Sequence, residues 1–498
     1  MSETSNTPSA AAAAEAEGLP VLPGSPRRAF LRVALPIVAG GVALRLLLLW
    51  LAGEPALQKD ESGYLYLALA WERFGVLLDA ERYLWPPAWP FVLKTCFQVF
   101  GRDALVAAKV LECVASAAIG LGILSIADRL GGRRAALFAG IAWALYLPLA
   151  AFTHMLWSEP LFLALLVPAV ALLVGAQQCA PRGAAQRGLI LAGLLFGAAL
   201  LTKEVAFYLA PLLALGVLGS WLRTSPVEGV RRASLFLLAV AAVIAPWTMR
   251  NLDVYGRPVP VGISLGENVY HGLNARYVNF DLAPLARSPR VTEPLERLSR
   301  RTFVETDPAS LWVRDEATPN TAERSGVHVA RGLGWLRANP GDFARTRLKK
   351  LADLVAPTCF FVRHQALAIY SGPLGAEGTR QALVAWAVAA AALLLLLGLP
   401  GSVHLAGRVG TVPGAWIPLV CGAYFVGTSL LVSMSRFRLC LVPWLIVGAA
   451  VLFATERRDR LATTPGRLTT LLALGALGFL WWIDWPELTR ILELAWAR

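Results

Sequence analysis

The sequence predicts an all-α polytopic membrane protein. Of its 498 residues, 56% are hydrophobic and only 16% are charged, with a mean hydropathy of +0.57. Soluble domains are roughly 45–50% apolar and about 25% charged. Eleven apolar runs are long enough to cross a bilayer, because a helix needs about 20 apolar residues to span about 30 Å of hydrocarbon. These observations exclude a soluble globular enzyme.

The runs alternate with connections whose charge gives an orientation. Basic connections, such as GGRR at 131–134 and ERRDR at 456–460, all fall on the side of the N-terminus. Positively charged loops stay in the cytoplasm, so the N-terminus is predicted to be cytoplasmic. Two further stretches, 86–100 and 348–362, are short or carry lysines and are predicted to be interfacial or re-entrant; counting both as crossings gives a range of 11 to 13. The eleven predicted crossings are 34–52, 104–128, 135–153, 160–177, 188–202, 204–222, 233–249, 381–399, 413–433, 439–455 and 467–483.

This alternation divides the chain into four parts. Residues 1–26 have too few large apolar side chains to form a core and are predicted to be a disordered cytoplasmic tail. Residues 27–250 form an N-terminal membrane module whose first external loop is 53–103. Residues 251–380 form a large external loop with interfacial segments, and 381–498 carry the C-terminal membrane helices. Connections this long are uncommon unless they are functional, so the active groups are expected in the two external segments.

Composition also excludes several kinds of function. The net charge of +13 is typical of nucleic-acid binding, but basic residues also gather in cytoplasmic loops, so no nucleic-acid partner is expected. The six cysteines show no paired or metal-binding spacing. The sequence contains no glycine-rich nucleotide motif. Nucleotide-fuelled chemistry therefore has no support.

Three acids lie where the chain leaves the predicted membrane. Asp60 and Glu61 follow the first crossing, and the aromatic segment RYLWPPAWP at 82–90 would partly desolvate them and raise their basicity. Glu159 lies in THMLWSEP at the outer end of the third crossing, where burying an acid is costly unless a partner offsets it. Two alternatives stay open: a solvated acidic pair in the first loop, and a Glu159 that only favours the start of the next helix.

Several cations lie at the same outer level. Each cation alone is explained by contact with lipid headgroups. Together they fit a lipid phosphate beside a carboxylate, because arginine pairs with phosphate through two hydrogen bonds. The external His271 in NVYHGLN either joins a carboxylate pair in holding a divalent metal ion or is a hydrogen-bonded loop histidine. The outer cations, with one neighbouring amide, are Lys203, Arg250 followed by Asn251, Arg436 and Arg438.

The order of these motifs resembles a known family. The acidic pair after the first crossing, the PP-containing segment, the SE pair, PWTMRN at 246–251 and SRFR at 435–438 are similar to the GT-C fold glycosyltransferases. The resemblance is to the group containing protein O-mannosyltransferases and the lipid A aminoarabinose transferase. It runs from about residue 30 to about residue 455 and includes GENVYHGLN and RANPGDFARTRLKKL.

The resemblance implies a function and a site. It implies transfer of a hexosyl or pentosyl group from a polyprenyl-phosphate sugar, on the periplasmic face of a bacterial inner membrane and with inversion. Asp60 would be the general base, Glu61 its neighbour, and Glu159 a further acid of the site. Relatives often carry Lys or Arg where this chain has Trp85, so the resemblance shifts lipid-phosphate and substrate binding to other residues. These are Arg82 with Tyr83, Lys203, Arg250, Asn251, His271, Arg436 and Arg438.

Two other functions remain as alternatives. In a multi-pass lipid or solute transporter, Arg45 and the acids at the membrane edge would line a path. A non-catalytic relative would only bind polyprenyl phosphate. The expected partners are the lipid-linked sugar donor, membrane lipids, and an acceptor that is a lipid, a glycan or a protein. A divalent metal ion is the one cofactor under consideration.

Overall fold

The structure is a computed structural model in which every regular element within the described residues is helical. It describes residues 26–53, 57, 59–75, 77, 85–179, 182–263, 266, 268–269, 273, 321–366, 369–370, 372–431, 435–455 and 464–497. The predicted tail before Pro26, together with Arg82, Tyr83 and His271, lies outside these residues.

The described α-helices are, in chain order, α1 (Pro26–Ala52), α2 (Lys59–Phe74), α3 (Ala88–Phe100), α4 (Ala104–Leu145), α5 (Leu147–Phe152), α6 (Glu159–Gln178), α7 (Arg182–Thr202), α8 (Leu209–Gly219), α9 (Pro226–Tyr255), α10 (Thr321–Ala338), α11 (Pro340–Leu354), α12 (Phe360–Ala366), α13 (Glu377–Ala406), α14 (Trp416–Ser429), α15 (Val442–Ala454) and α16 (Thr464–Ala497). Short 3-10 helices lie at Gly101–Asp103, Glu204–Ala206, Pro373–Gly375 and Ser435–Cys440.

The apolar helices confirm the polytopic class. Within the described residues, seven helical stretches are long and apolar enough to cross a membrane, and three shorter apolar helices accompany them. One of the seven, Ala88–Leu145, holds two of the predicted crossings, because α4 is broken at Gly132. Its φ of 76° suits glycine, which has no Cβ to clash in this left-handed region. Each of the eleven predicted crossings overlaps a described helix or one half of α4.

The two stretches predicted to be interfacial do not form long helices. Residues 86–100 contain α3, whose 13 residues extend for only about 20 Å and end at Gly101. Residues 348–362 contain the end of α11, an irregular turn and the start of α12. Neither helix is long enough to span the bilayer alone.

The bundle centres on α4, which packs against α1, α6 and α15. Arg45 of α1 is fully buried in this bundle and donates to the carbonyl oxygens of Gly41 at 2.9 Å and Trp143 at 3.2 Å. Its guanidinium also lies 4.2 Å from the centre of the Trp143 ring. A buried cation in a membrane segment must be compensated within the protein. These contacts give Arg45 a packing role between α1 and α4.

Helices α13 and α15 approach each other closely through glycines. A Cβ added at Gly401 would lie 2.2 Å from the backbone carbon of Gly448. Backbone atoms cannot move aside as a flexible side-chain end can, so the contact requires glycine. Small residues at such crossings let apolar helices pack tightly in membranes.

Replacing Gly401 by alanine is therefore expected to separate α13 from α15. We expect Gly401→Ala to lower the thermal unfolding temperature in detergent, with a cost of about 1–3 kcal/mol for overpacking. Gly378→Ala in the same helix is the control, since a Cβ there meets nothing within 4 Å. Equal unfolding temperatures for the two variants would contradict this account of the crossing.

Candidate active site

The first wall of the candidate site is the start of α2. Asp60 and Glu61 both lie in its first turn, where negative charge is favoured by the helix dipole. Glu61 is only 2% exposed, and its Oε1 accepts a hydrogen bond of 2.7 Å from the backbone N–H of Leu156. This bond joins α2 to the turn at 153–158, between α5 and α6.

Aromatic contacts hold the same junction. The Tyr64 hydroxyl shares a 2.8 Å hydrogen bond with Ser158 Oγ, and the Tyr64 ring meets Trp85 edge-on at 4.2 Å between centroids. The indole N–H of Trp89 donates to the Leu156 carbonyl at 2.9 Å. Burial, with the nearby carboxylates of Glu159 and Asp60, raises the pKa of the Tyr64 phenol well above its usual value. Tyr64 is therefore a neutral structural contact at physiological pH.

Ion pairs bring four of the expected site residues together. Arg436, in the 3-10 helix Ser435–Cys440, pairs with the Asp60 carboxylate, and its Nε lies 3.8 Å from Glu159 Oε1. Lys203 Nζ lies 3.0 Å from the same Glu159 oxygen. With Glu61 one position beyond Asp60, these residues form the group that we call the carboxylate cluster: Asp60, Glu61, Glu159, Lys203 and Arg436.

Exposure differs sharply among the members. The side chain of Glu159 is 2% exposed, whereas that of Asp60 is 32% exposed and that of Arg436 is 16% exposed. Burial opposes the charge of Arg436, but the carboxylates of Asp60 and Glu159 outweigh burial and raise its pKa above the ordinary value. The site thus presents a permanently charged guanidinium beside a carboxylate that solvent can reach.

Helix α11 contacts the end of α14, a few residues before Arg436 in the sequence. Arg347 and Lys350 of α11 donate to the carbonyl oxygens of Leu430 and Leu431 at the end of α14, with a Lys350 to Leu431 distance of 2.7 Å. Burial lowers the pKa of Lys350 to about 7. Cations at a helix C-terminus interact favourably with its dipole. The chain therefore enters the Arg436 segment from an anchored helix end.

Arg438 serves the same segment in another way. It is 2% exposed, and its guanidinium donates to the carbonyl oxygens of Ala356 and Thr358, the latter at 3.0 Å. The structure thus places Arg438 on the turn between α11 and α12. Its expected contact with a lipid phosphate stays a prediction.

Arg250 and Asn251 lie near the end of α9, and their side chains donate hydrogen bonds to main-chain carbonyl oxygens outside that helix. Arg250 donates to the Leu77 carbonyl at 3.0 Å and stacks over Trp247 at 4.8 Å. Asn251 is fully buried and donates to the Val259 carbonyl at 2.9 Å. These contacts are not with the carboxylate cluster. Among the described residues, no group of three or more His, Cys, Asp or Glu is arranged to hold a metal ion.

Aromatic and polar residues that the sequence did not single out line the cluster. The ring of Trp157 lies 5.0 Å from the Arg436 guanidinium and 5.7 Å from the His364 ring. Glu112 of α4 is 1% exposed, and neither of its carboxyl oxygens has a hydrogen-bond partner among the described residues. Two sequence signals were available for this wall: Glu112 inside the apolar run 104–128, and the polar run RHQ at 363–365 inside apolar surroundings.

Known proteins share this architecture. Residues 85–249 match the family model described as dolichyl-phosphate-mannose-protein mannosyltransferase. The archaeal oligosaccharyltransferase AglB from Archaeoglobus fulgidus, in complex with an inhibitory peptide and a dolichol-phosphate, superposes with a TM-score of 0.51 at 14% identity. The alignment covers 94% of this chain and 55% of AglB. The chain has the GT-C fold. The resemblance expected from the sequence motifs is thereby confirmed.

Two further solved structures are similar to this chain. The apo form of the same archaeal enzyme gives the same score, 0.51 at 14% identity, with 94% of this chain and 55% of that one covered. ArnT from Cupriavidus metallidurans, bound to undecaprenyl phosphate, is 17% identical over 82% of this chain and 77% of its own, with a TM-score of 0.36. The chain spans about half the length of the AglB structures that it matches. No curated protein matches the sequence significantly.

The contacts of Arg438 predict a structural effect. We expect Arg438→Met to lower the unfolding temperature markedly, because two buried carbonyl oxygens lose a charged donor worth about 1.5–3 kcal/mol per hydrogen bond. Arg134→Met, at an exposed position of α4, is the control. An Arg438 variant that unfolds like the wild type but loses affinity for polyprenyl phosphate would instead assign Arg438 to the phosphate site.

Proposed function

We propose that the chain is a membrane glycosyltransferase that moves a sugar from a polyprenyl-phosphate donor to an acceptor hydroxyl. The observation that carries this proposal is the arrangement of Arg436 against both Asp60 and Glu159 at one end of the bundle. A transfer of this kind needs a base for the acceptor and fixed positive charge for the leaving phosphate. In the carboxylate cluster, Asp60 provides the base and Arg436, in direct contact with it, provides the positive charge.

The comparisons support the same class of reaction. The family model that matches residues 85–249 is described by its dolichyl-phosphate-mannose donor. The AglB structure that shares the fold contains a dolichol-phosphate. A polyprenyl-phosphate sugar is therefore the donor class that we assign to this chain. Its acceptor is a lipid, a glycan or a protein.

Asp60 acts as the general base in this proposal. Its carboxylate takes the proton of the acceptor hydroxyl while the acceptor oxygen attacks the anomeric carbon. The bond from that carbon to the phosphate oxygen breaks, and its electrons remain on the departing polyprenyl phosphate. Direct displacement inverts the anomeric carbon. Asp60 suits this role because it is the most exposed acid of the cluster, at 32%.

Arg436 acts on both partners of the reaction. While it pairs with Asp60, it lowers the basicity of that carboxylate, because a neighbouring cation favours the charged form. A phosphate that takes hydrogen bonds from the guanidinium would release Asp60 as a base. The same guanidinium then compensates the charge that develops on the leaving phosphate. Glu159 and Lys203 hold Arg436 in place through their shared contacts.

The proposed orientation follows from the charge of the loops. The cluster would face the periplasm of a bacterial inner membrane, with the N-terminus in the cytoplasm. The first external loop, 53–103, would supply the catalytic acids. The large external segment, 251–380, would bind the acceptor, and the helices of 381–498 would complete the membrane module.

Removing the base tests the reaction. We expect Asp60→Asn to lower transfer from radiolabelled polyprenyl-phosphate sugars by about a hundredfold or more, because general-base catalysis contributes about 10²–10⁴. Binding of the donor should be unchanged. Glu72→Gln, at an exposed position of the same helix, is the control and should retain transfer. Full transfer by Asp60→Asn, or loss of donor binding together with transfer, would overturn this role.

Removing the cation tests the phosphate contact. We expect Arg436→Gln to weaken binding of unglycosylated polyprenyl phosphate by about tenfold or more, since hydrogen bonds to charged groups contribute about 1.5–3 kcal/mol. Arg436→Lys should recover only part of this affinity, because lysine keeps the charge without the planar pair of donors. Unfolding temperatures measured in parallel show whether the pairing with Glu159 is also needed for folding. Unchanged affinity in a folded variant would exclude Arg436 from the phosphate site.

A further inference from the structure

Three uncharged side chains beside the carboxylate cluster have polar atoms without a partner. The indole N–H of Trp157, Nδ1 of His364 and the hydroxyl of Tyr370 are all buried and make no hydrogen bond among the described residues. The residues are 5%, 7% and 3% exposed, respectively. A buried polar group without a partner costs about 1–3 kcal/mol, so few are expected in a folded protein. A ligand bound beside the carboxylate cluster would satisfy all three.

These groups lie next to the residues assigned to the phosphate and the base. Trp157 adjoins both Arg436 and His364, with 5.0 Å to the guanidinium and 5.7 Å to the imidazole ring. The charge of Arg436 acts on the His364 ring, and the charge of Glu61 acts on the Tyr370 phenol. The three groups therefore border the carboxylate cluster from the side of α12 and the turn before α6.

The three groups are uncharged hydrogen-bond donors and acceptors, which suit an uncharged polar ligand. An indole N–H only donates, whereas a phenol and a neutral imidazole each donate and accept. Burial lowers the pKa of His364 to about 3, so its ring is uncharged at neutral pH. Neutral donors and acceptors match the hydroxyl groups of a sugar, which also donate and accept. They do not match the charge of a phosphate, which Arg436 already faces.

We propose that Trp157, His364 and Tyr370 form the subsite that binds the hydroxyl groups of the donor's sugar ring. This inference rests on the proposed function and deepens it. The sugar is bonded directly to the phosphate, so its subsite must adjoin the group that holds the phosphate. The contact of Trp157 with Arg436 meets this requirement. The polyprenyl chain and the acceptor are held elsewhere.

Conservative variants separate this subsite from the rest of the site. Tyr370→Phe removes only the hydroxyl, and Trp157→Phe keeps an aromatic ring while removing the N–H. Tyr424→Phe is the first control, because the Tyr424 hydroxyl donates to the Val205 carbonyl at 2.6 Å. Trp416→Phe is the second control. The Trp416 N–H also lacks a partner among the described residues. Trp416 is the first residue of the 14-residue α14, so it lies about 20 Å from the end of that helix near Arg436.

The probes are short-chain polyprenyl phosphate alone and the same lipid carrying mannose, glucose or arabinose. With purified full-length protein in detergent, we expect Tyr370→Phe and Trp157→Phe to bind the best glycosylated lipid about threefold to tenfold more weakly, as for loss of a neutral hydrogen bond. Binding of the unglycosylated lipid should stay within twofold. Tyr370→Phe should unfold at or above the wild-type temperature, whereas Tyr424→Phe should unfold below it.

Each other outcome has a definite meaning. Equal losses for glycosylated and unglycosylated lipid, or no loss for either, would overturn the sugar subsite. A change confined to the apparent affinity for the acceptor would assign the three groups to the acceptor and would also overturn it. If the wild type binds none of the glycosylated lipids, the proposed function itself fails, and the variants are not needed to show it.

Discussion

The site depends on one shared cation. Arg436 contacts Asp60 at the start of α2 and Glu159 at the start of α6, and these helices are far apart in the sequence. Two acids so close would repel each other and resist burial if no positive charge lay between them. The guanidinium makes the arrangement stable, and the two pairings also fix its own orientation. The same two contacts thus balance the charge of the acids and set the direction of the guanidinium.

Sequence reasoning found the membrane architecture and most of the charged residues of the site. Helix length and apolar content are local properties, so the helices that overlap the eleven predicted crossings could be located from runs of residues. Asp60, Glu159 and Arg436 could be identified because charge at the end of an apolar run is costly and therefore conspicuous. The three side chains meet because α2, α6 and the segment before α15 pack together. The sequence pointed to a common site only through the motif order of the GT-C resemblance.

The rest required tertiary structure. Trp157 and Tyr370 look like ordinary aromatic core residues in the sequence, and His364 is marked only by the polar run 363–365. That their polar atoms have no partner among the described residues is visible only in the structure. Arg438 shares a motif with Arg436, yet it binds main-chain carbonyl oxygens of the turn after α11. Neighbours in a short motif can therefore face different partners. The motif alone predicts a lipid-phosphate contact for both arginines, because a sequence carries no information about side-chain direction; for Arg438 that contact stays a prediction.

The anchoring of α14 by Arg347 and Lys350 has a mechanical consequence. Both residues belong to α11, within the long segment that follows α9, and they donate hydrogen bonds to the carbonyl oxygens of Leu430 and Leu431, a few positions before Arg436. A displacement of α11 would therefore be transmitted through these hydrogen bonds to the part of the chain that precedes Arg436. The position of the long segment after α9 and the position of that arginine are in this way mechanically linked.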